Sequence, residues 1–428
     1  MTHTDYTKEI LNIKDNNIYF YENCLETKII KGKETKIFHG YLTYIPDCCK
    51  KCGCVNEGFD DIIKWDFKKN CKIKIPKVSN YNTLLILDKQ RFYCKHCNRT
   101  FTAETSLVDY RKQISNNTKL SIILDLMEKG SEKDISKRNN VSTNSTNRIL
   151  DEISKDKLIK NNGKLPTSFG IDEFMATKDT IGKMAFIIMD QNNKNIFDIN
   201  NSRKSLDISK YFKRYSKIER DKVKFITLDL YMPYYYLMHS LFRNAILIPD
   251  RFHIVIQFRN ALDKTRISLC KKSNPNYKKL KKYWKLILKN EDDLNDIKKF
   301  YSANFGKEVT EKYIVDYLIN TDKTLNATYN YYQGLLKSLK SRDKKKFLSI
   351  IHNPSSLISE YAKKVNKTLI KMEKYIVNAF DYDLSNGITE GTNNVIKQMK
   401  HTACGYRKFH HLKARIMLIK GIYNPIRA

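Results

Sequence analysis

The stretch from Ser168 to Ile267 leaves this chain few folds to choose from. SFGIDEF, MAFIIMD and NIFDIN follow one another as short runs rich in β-branched and aromatic residues, which predicts three strands. SLDISKYFKRYSKIER, residues 205–220, spaces its apolar residues three and four apart and reads as one amphipathic helix. VKFITLDL is then a fourth strand, YMPYYYLMHSLFR a helix, AILIPDR a fifth strand and FHIVIQFRNALDKTRI a long helix.

Three strands, a helix, a strand, a helix and a strand is the order of a ribonuclease-H-like fold. It makes two acids interesting: Asp172 in the first strand and Asp229 at the end of the fourth. Those strands are neighbours in such a sheet, so the two carboxylates meet at one edge. Crowded carboxylates repel unless a divalent cation holds them, and Mg²⁺ or Mn²⁺ takes oxygen ligands. Two such ions about 3.5–4 Å apart activate the attacking oxygen and stabilise the leaving one in phosphodiester cleavage.

A third acid must come from a helix after the fifth strand. SNGITEGTNNVIKQMK, residues 385–400, offers one. At 100° per residue, Ile388, Thr392, Val395, Ile396 and Met399 share one face, and Glu390, Asn393, Asn394, Lys397 and His401 the other. Glu390 thus points away from the apolar side, with Gly391 leaving room for a DNA strand. Glu173, Asp190, Asp198 and Asp250 are also acids near strands, and each reads as solvated or structural. Asp250 and His253 are expected to support the site from outside it.

Ten cysteines gather mainly in CCKKCGC, residues 48–54, and CKHC, residues 94–97. Two CxxC knuckles suit tetrahedral zinc, each presenting two thiolates on one side. The best register is Cys49, Cys52, Cys94 and Cys97, with Gly53 permitting the tight turn. Cys48, Cys54, Cys71 and His96 are alternates. The long spacer makes this a ribbon, in which TLLILD and RFYC are strands that carry the second knuckle.

Residues 119–153 divide into an apolar-periodic helix, a stop at Gly130, a short helix started by Ser131 with Asp134, and another helix after NNVS. This is the layout of a helix-turn-helix. Thr143, Asn144, Ser145, Thr146, Asn147 and Arg148 open the last helix, with side chains of the types that reach base edges and phosphates. Lys397, Lys400 and Arg407 are further DNA-contact candidates. A formal net charge of +33, from 79 Lys+Arg against 46 Asp+Glu, makes a polyanion the leading partner. Residues 259–383, rich in Lys, Tyr and Leu with few strand signals, read as a helical insertion whose Trp284 belongs to a core. The longest apolar runs, such as AFIIM at 185–189, fall far short of a spanning helix. MTHTDYTKEI is unlike a signal peptide, so a reducing cytoplasm is expected, with thiols or metal ligands in place of disulfides.

CKKCG, CKHC, FGIDEF, ITLDLYMPYY, IPDRFHIV, SNGITEGTNNVIKQMK and GYRKFHHLKARI together resemble the DDE transposases of bacterial insertion sequences, most closely the ISL-three family. They run in order from about residue 45 to about 420. The resemblance puts the acidic triad on Asp172, Asp229 and Glu390, with Mg²⁺ or Mn²⁺ as catalytic metal and Zn²⁺ as structural metal. It implies a transposase that binds the terminal inverted repeats of its element as double-stranded DNA, cuts the 3′ ends and joins them to target DNA, as a homo-oligomer assembled on DNA at the nucleoid. The expected architecture is α+β multidomain: a zinc-binding domain at 1–110, a helix-turn-helix at 111–160, a ribonuclease-H-like α/β catalytic domain at 161–258 and 384–428, and an all-α insertion at 259–383. A DNA-binding regulator with an inactive catalytic domain, or a ribonuclease-H-like nuclease or resolvase, would share much of this plan.

Overall fold

In the computed structural model, residues 2–57, 60–156 and 163–422 are described, and the expected boundary at residue 160 lies outside them. The chain divides into two compact units, Met1–Ile159 with Ile396–Ala428, and Lys160–Val395. The expected closing segment 384–428 is therefore split at residue 395, and the region 259–383 falls in the same unit as the central sheet.

The first unit begins with a short helix, α1 (His3–Ile10), and a five-stranded sheet of β1 (Ile18–Ile30), β2 (Lys33–Leu42), β3 (Ile62–Lys74), β4 (Asn82–Cys94) and β5 (Arg99–Thr102). Its order is β1-β2-β4-β3, with β5 paired to β4. TLLILD and RFYC, expected as two strands, are one: inward residues recur along most of β4, and two register shifts against β3 absorb the irregularity between them. Three helices follow, α2 (Asn116–Met127), α3 (Glu132–Arg138) and α4 (Thr143–Asp156). Ser131 caps α3 as its sequence predicts, accepting the Asp134 N–H at 3.1 Å. Ile122, Leu126, Ile135, Leu150 and Ile153 form the core of this bundle together with Ala414 and Leu418 of the helix Phe409–Ile419.

The second unit holds β6 (Ser168–Met175), β7 (Met184–Asp190), β8 (Asn195–Asn200), β9 (Phe225–Leu228) and β10 (Ile246–Pro249), in the order β10-β9-β6-β7-β8. β6, β7 and β8 are antiparallel, while β9 runs parallel to both β6 and β10. The helix expected over 205–220 is two, α5 (Ser205–Lys213) and α6 (Lys217–Asp221), because Ser216 caps a fresh start by accepting the Glu219 N–H. α7 (Met232–Leu241) has Pro233 in its first turn, where no backbone donor is needed, and α8 (Arg251–Leu269) follows β10 directly. One apolar core runs from Phe169 and Ile188 of the sheet to Leu335, Leu369 and Ile376 of the later helices.

The insertion is helical as expected, in Lys323–Lys340 and Glu360–Lys371 among others, and Trp284 packs against its core. It is not all-α. Phe300–Ser302 pairs with Lys307–Val309 as a small antiparallel hairpin, turned through Gly306 at φ +66°. Strands of three residues are too short to print an alternation in the sequence.

Candidate active site and metal centres

Strand register builds the site. β6 and β9 pair Ser168 with Phe225, Phe169 with Ile226 and Gly170 with Thr227. Two residues further on, that register brings Asp172 level with Asp229, the residue that follows the end of β9. β10 pairs Pro249 with Leu228, so Asp250 comes level with Asp229 from the other side, and its N–H reaches Leu228 O at 2.9 Å. Neighbouring strands lie about 4.8 Å apart, so three carboxyl groups collect on one side of the sheet at its carboxyl edge.

The electrostatics follow from that crowding. Burial raises the Asp172 pKa above the usual carboxylate range, and Asp250 and Glu173 add to the rise while His253 opposes it. Asp229 is pushed up to about 8, first by burial and then by the charges of Asp172, Asp250 and Glu173. His253, in the first turn of α8, places Nε2 3.1 Å from Asp229 Oδ1, out of line for a hydrogen bond. That oxygen is buried and has no hydrogen-bond partner.

The helix Gly387–Thr402 is seated by the residue before it. Buried Asn386 donates to Ile171 O at 3.2 Å and accepts from the Thr227 hydroxyl. Gly170 leaves the space: a Cβ there would stand 2.7 Å from Asn386 Oδ1 and 2.8 Å from Thr227 Oγ1. Along the helix Thr389, Thr392, Ile396 and Met399 are buried, while Glu390, Gly391, Asn394 and Lys397 are exposed. Asn393 lies between these faces and donates Nδ2 to Asp172 Oδ2 at 2.7 Å, leaving its own Oδ1 buried and unpartnered. Glu390 stands one turn earlier on the same stripe. Among the described residues, Asp172, Asp229 and Glu390 do not bring their oxygens all within 4.8 Å of one another. Like charges keep apart, and Asn393 holds one Asp172 oxygen. The donor set nonetheless fits a hard cation, because Asp229 Oδ1 and Asn393 Oδ1 are buried oxygens that no hydrogen-bond donor satisfies.

The other acids have structural work. Glu173 accepts from the Tyr234 hydroxyl and from Arg203 at 2.6 Å. Asp190 closes the β7–β8 turn by accepting the Asn192 N–H at 2.9 Å, and Asp198 accepts the Tyr211 hydroxyl at 2.8 Å.

In the first unit Cys49, Cys52, Cys94 and Cys97 bring their sulfurs within 4.8 Å of one another. Cys49 to Cys97 and Cys52 to Cys94 are each 3.8 Å. A tetrahedron of Zn–S bonds of about 2.3 Å has edges of about 3.8 Å, whereas a disulfide needs about 2.05 Å. Gly53 makes the knuckle at φ +77°, donating its N–H to Cys49 O at 2.8 Å. Burial opposes ionisation of Cys49, but N–H groups of Lys51 and Cys52 together with the Cys52 and Cys94 thiols lower its pKa to about 7, while Cys52 is raised and burial pushes Cys97 up to about 12, so without a metal the four share their protons unequally.

Residues 169–416, more than half of the chain, match the profile of the ISL-three DDE family, whose description is transposase. The chain belongs to that family. A relative from Lactococcus lactis subsp. lactis named ATP-dependent protease is 35% identical over 122 residues, 28% of this chain and 39% of that protein. The chain thus spans about two-fifths of that relative's length, and the named activity is that protein's. Among the described residues no helix is long and apolar enough to cross a membrane.

At the start of α4 the chain exposes Thr143, Asn144 and Arg148 and half-buries Asn147. Thr146 is a correction: it is 0% exposed, and its hydroxyl lies 2.9 Å from that of Ser136, so it packs α3 against α4. Lys397 and Arg407 are exposed, whereas Lys400 is half-buried, which lowers its pKa. Sequence reasoning missed three residues. Asn386 and Asn393 look like ordinary polar-face amides. Arg415, 0% exposed, donates to Leu126 O, to Glu128 O at 3.0 Å and to Gly130 O at 2.9 Å, closing the open carbonyls after α2.

Proposed function

We propose that this transposase cuts and joins DNA strands at the ends of its own insertion sequence, on a ribonuclease-H-like sheet, with Asp172, Asp229 and Glu390 as the acids that hold Mg²⁺ or Mn²⁺. One observation carries the reading: the β6–β9 register sets Asp172 level with Asp229, and Asn393, one turn from Glu390, bonds to Asp172. The strand order β10-β9-β6-β7-β8, with only β7 antiparallel to the rest, supports the fold assignment. When bound, the metal supplies activation of the attacking oxygen and charge stabilisation at the leaving one.

The protein's own part is positioning. The body of β6 and the end of β9 fix Asp172 and Asp229, Asn393 orients Asp172, and His253 sets Nε2 3.1 Å from Asp229. Glu390, exposed on its helix beside Gly391, closes the site from the DNA side. No covalent protein–DNA intermediate is involved, because carboxylates holding a cation do not attack phosphorus. End recognition falls to Thr143, Asn144 and Arg148 of α4 within a helix-turn-helix, with Asn147 at its edge and Lys397, Lys400 and Arg407 on phosphates. Cys49, Cys52, Cys94 and Cys97 hold structural Zn²⁺.

The test is cleavage of labelled element-end DNA beside a gel-shift on the same DNA. Glu390→Gln, Asp172→Asn and Asp229→Asn are expected to cut at least about a hundredfold more slowly with binding intact. Glu173→Gln and Asp190→Asn should keep substantial activity. Full cleavage by Glu390→Gln removes the third acid from the assignment. Binding without any cleavage by the unaltered protein makes it a DNA-binding regulator.

A further inference from the structure

Two imidazoles have no part in that chemistry. Within the first unit, His410 and His411 open the helix Phe409–Ile419 and both meet Asp151 on α4. Nε2 of each ring lies 2.8 Å from the same carboxylate oxygen, Oδ1. One ligand atom from each of the three residues lies within 4.8 Å of the other two. His411 is 5% exposed, whereas His410 and Asp151 are half-buried, so the cluster opens to solvent on one side. Its frame is held by the shared core, in which Ile149, Leu150 and Ile153 of α4 meet Ala414 and Leu418. Burial opposes ionisation of Asp151, but hydrogen bonds from the two rings hold its pKa below the usual carboxylate range. Hydrogen bonding alone would be an ordinary structural outcome. What sets the cluster apart is two imidazoles and a carboxylate converging in a preformed, half-open arrangement, the donor set that borderline transition ions take.

We propose that Asp151, His410 and His411 bind a divalent transition-metal ion of the Zn²⁺ class, with water completing its coordination, and that the ion pins α4 to the helix Phe409–Ile419. Nitrogen and oxygen ligands of a tetrahedral ion, with bonds of about 2.0–2.1 Å, stand about 3.4 Å apart, so the two 2.8 Å N···O distances open by about half an ångström on binding. Two nitrogen donors disfavour Mg²⁺, so this site differs in kind from the acids of the second unit. On binding, each ring carries its N–H on Nδ1 and turns the Nε2 lone pair to the ion, and any imidazolium proton is released to solvent.

The test uses the full chain, stripped with a chelator and titrated with Co²⁺ under excess Mg²⁺, followed by absorption. Co²⁺ held by four thiolates shows an intense sulfur-to-metal band that a site without sulfur lacks. Two Co²⁺ per chain are expected, one with that band and one without. His410→Ala, and Asp151→Asn, which keeps the shape and an accepting oxygen, should each weaken the band-free ion about tenfold or more and leave the thiolate band unchanged. Retention of both ions at unchanged affinity in both variants overturns the proposal, and so does a wild type that binds only the thiolate-held ion. If a variant misfolds and loses the thiolate band, the wild-type stoichiometry decides.

Discussion

At the scale of single residues, the site trades stability for function, and Asp229 shows how. Its pKa is pushed from 3.8 to about 8, by burial first and then by neighbouring acids. Between those values the folded protein holds a proton that the unfolded chain has released, so stability falls as pH rises through that window. In chelator, Asp229→Asn should therefore be more stable than wild type by about 2–5 kcal/mol at pH 8 and about equal to it at pH 4, measured by urea unfolding. A variant equally stable at both pH values would show that Asp229 carries no such strain. Asp172 and Asp229 were legible in the sequence because element order alone sets neighbouring strands. Asn386 and Asn393 were not, since their partners Ile171 and Asp172 lie 215 and 221 residues away and only the folded register names them.

At the scale of elements, β7, buried on both faces, prints a continuous apolar run and was read as a strand, and α8, whose buried Ile254, Phe258, Ala261 and Leu262 recur at helical spacing, was read as a long helix. Errors fell where a local detail overrides the pattern. Ser216 restarts a helix, three-residue strands leave no alternation, and Thr146 faces α3 although its neighbour Asn144 faces solvent. A buried arginine is the least legible of all, because a charged side chain reads as surface. Arg415 satisfies three carbonyls at the end of α2, and Arg415→Met would leave them open. The expected cost is about 2–4 kcal/mol, seen as faster amide exchange across α2 and α3 and an earlier unfolding step. Unchanged exchange there would reduce Arg415 to a packing residue.

At the scale of the whole molecule, the proposed function divides the work: a net charge of +33 would act on DNA of any sequence, whereas a few side chains on α4 would act on one. Affinity for random DNA should thus fall steeply as salt rises, with a log–log slope of several units. Asn144→Ala should leave that slope unchanged while lowering the preference for element ends by about 1–3 kcal/mol. Equal losses on both DNAs would mark α4 as a packing helix. Sedimentation of the end complex would show whether two copies assemble on it.

Arg415 also sets a timetable for synthesis. It reaches Leu126 across 289 residues of chain, so the bundle of α2, α3 and α4 stays without its closing helix while the intervening sequence is translated. At roughly 5–20 residues per second that wait is about 15–60 s. A nascent chain still on the ribosome, and any fragment released before Phe409, therefore has α4 without the support that keeps it in place. The support of α4 is completed almost together with the last residues of the described chain, by which time Asp172, Asp229 and Glu390 have already been made.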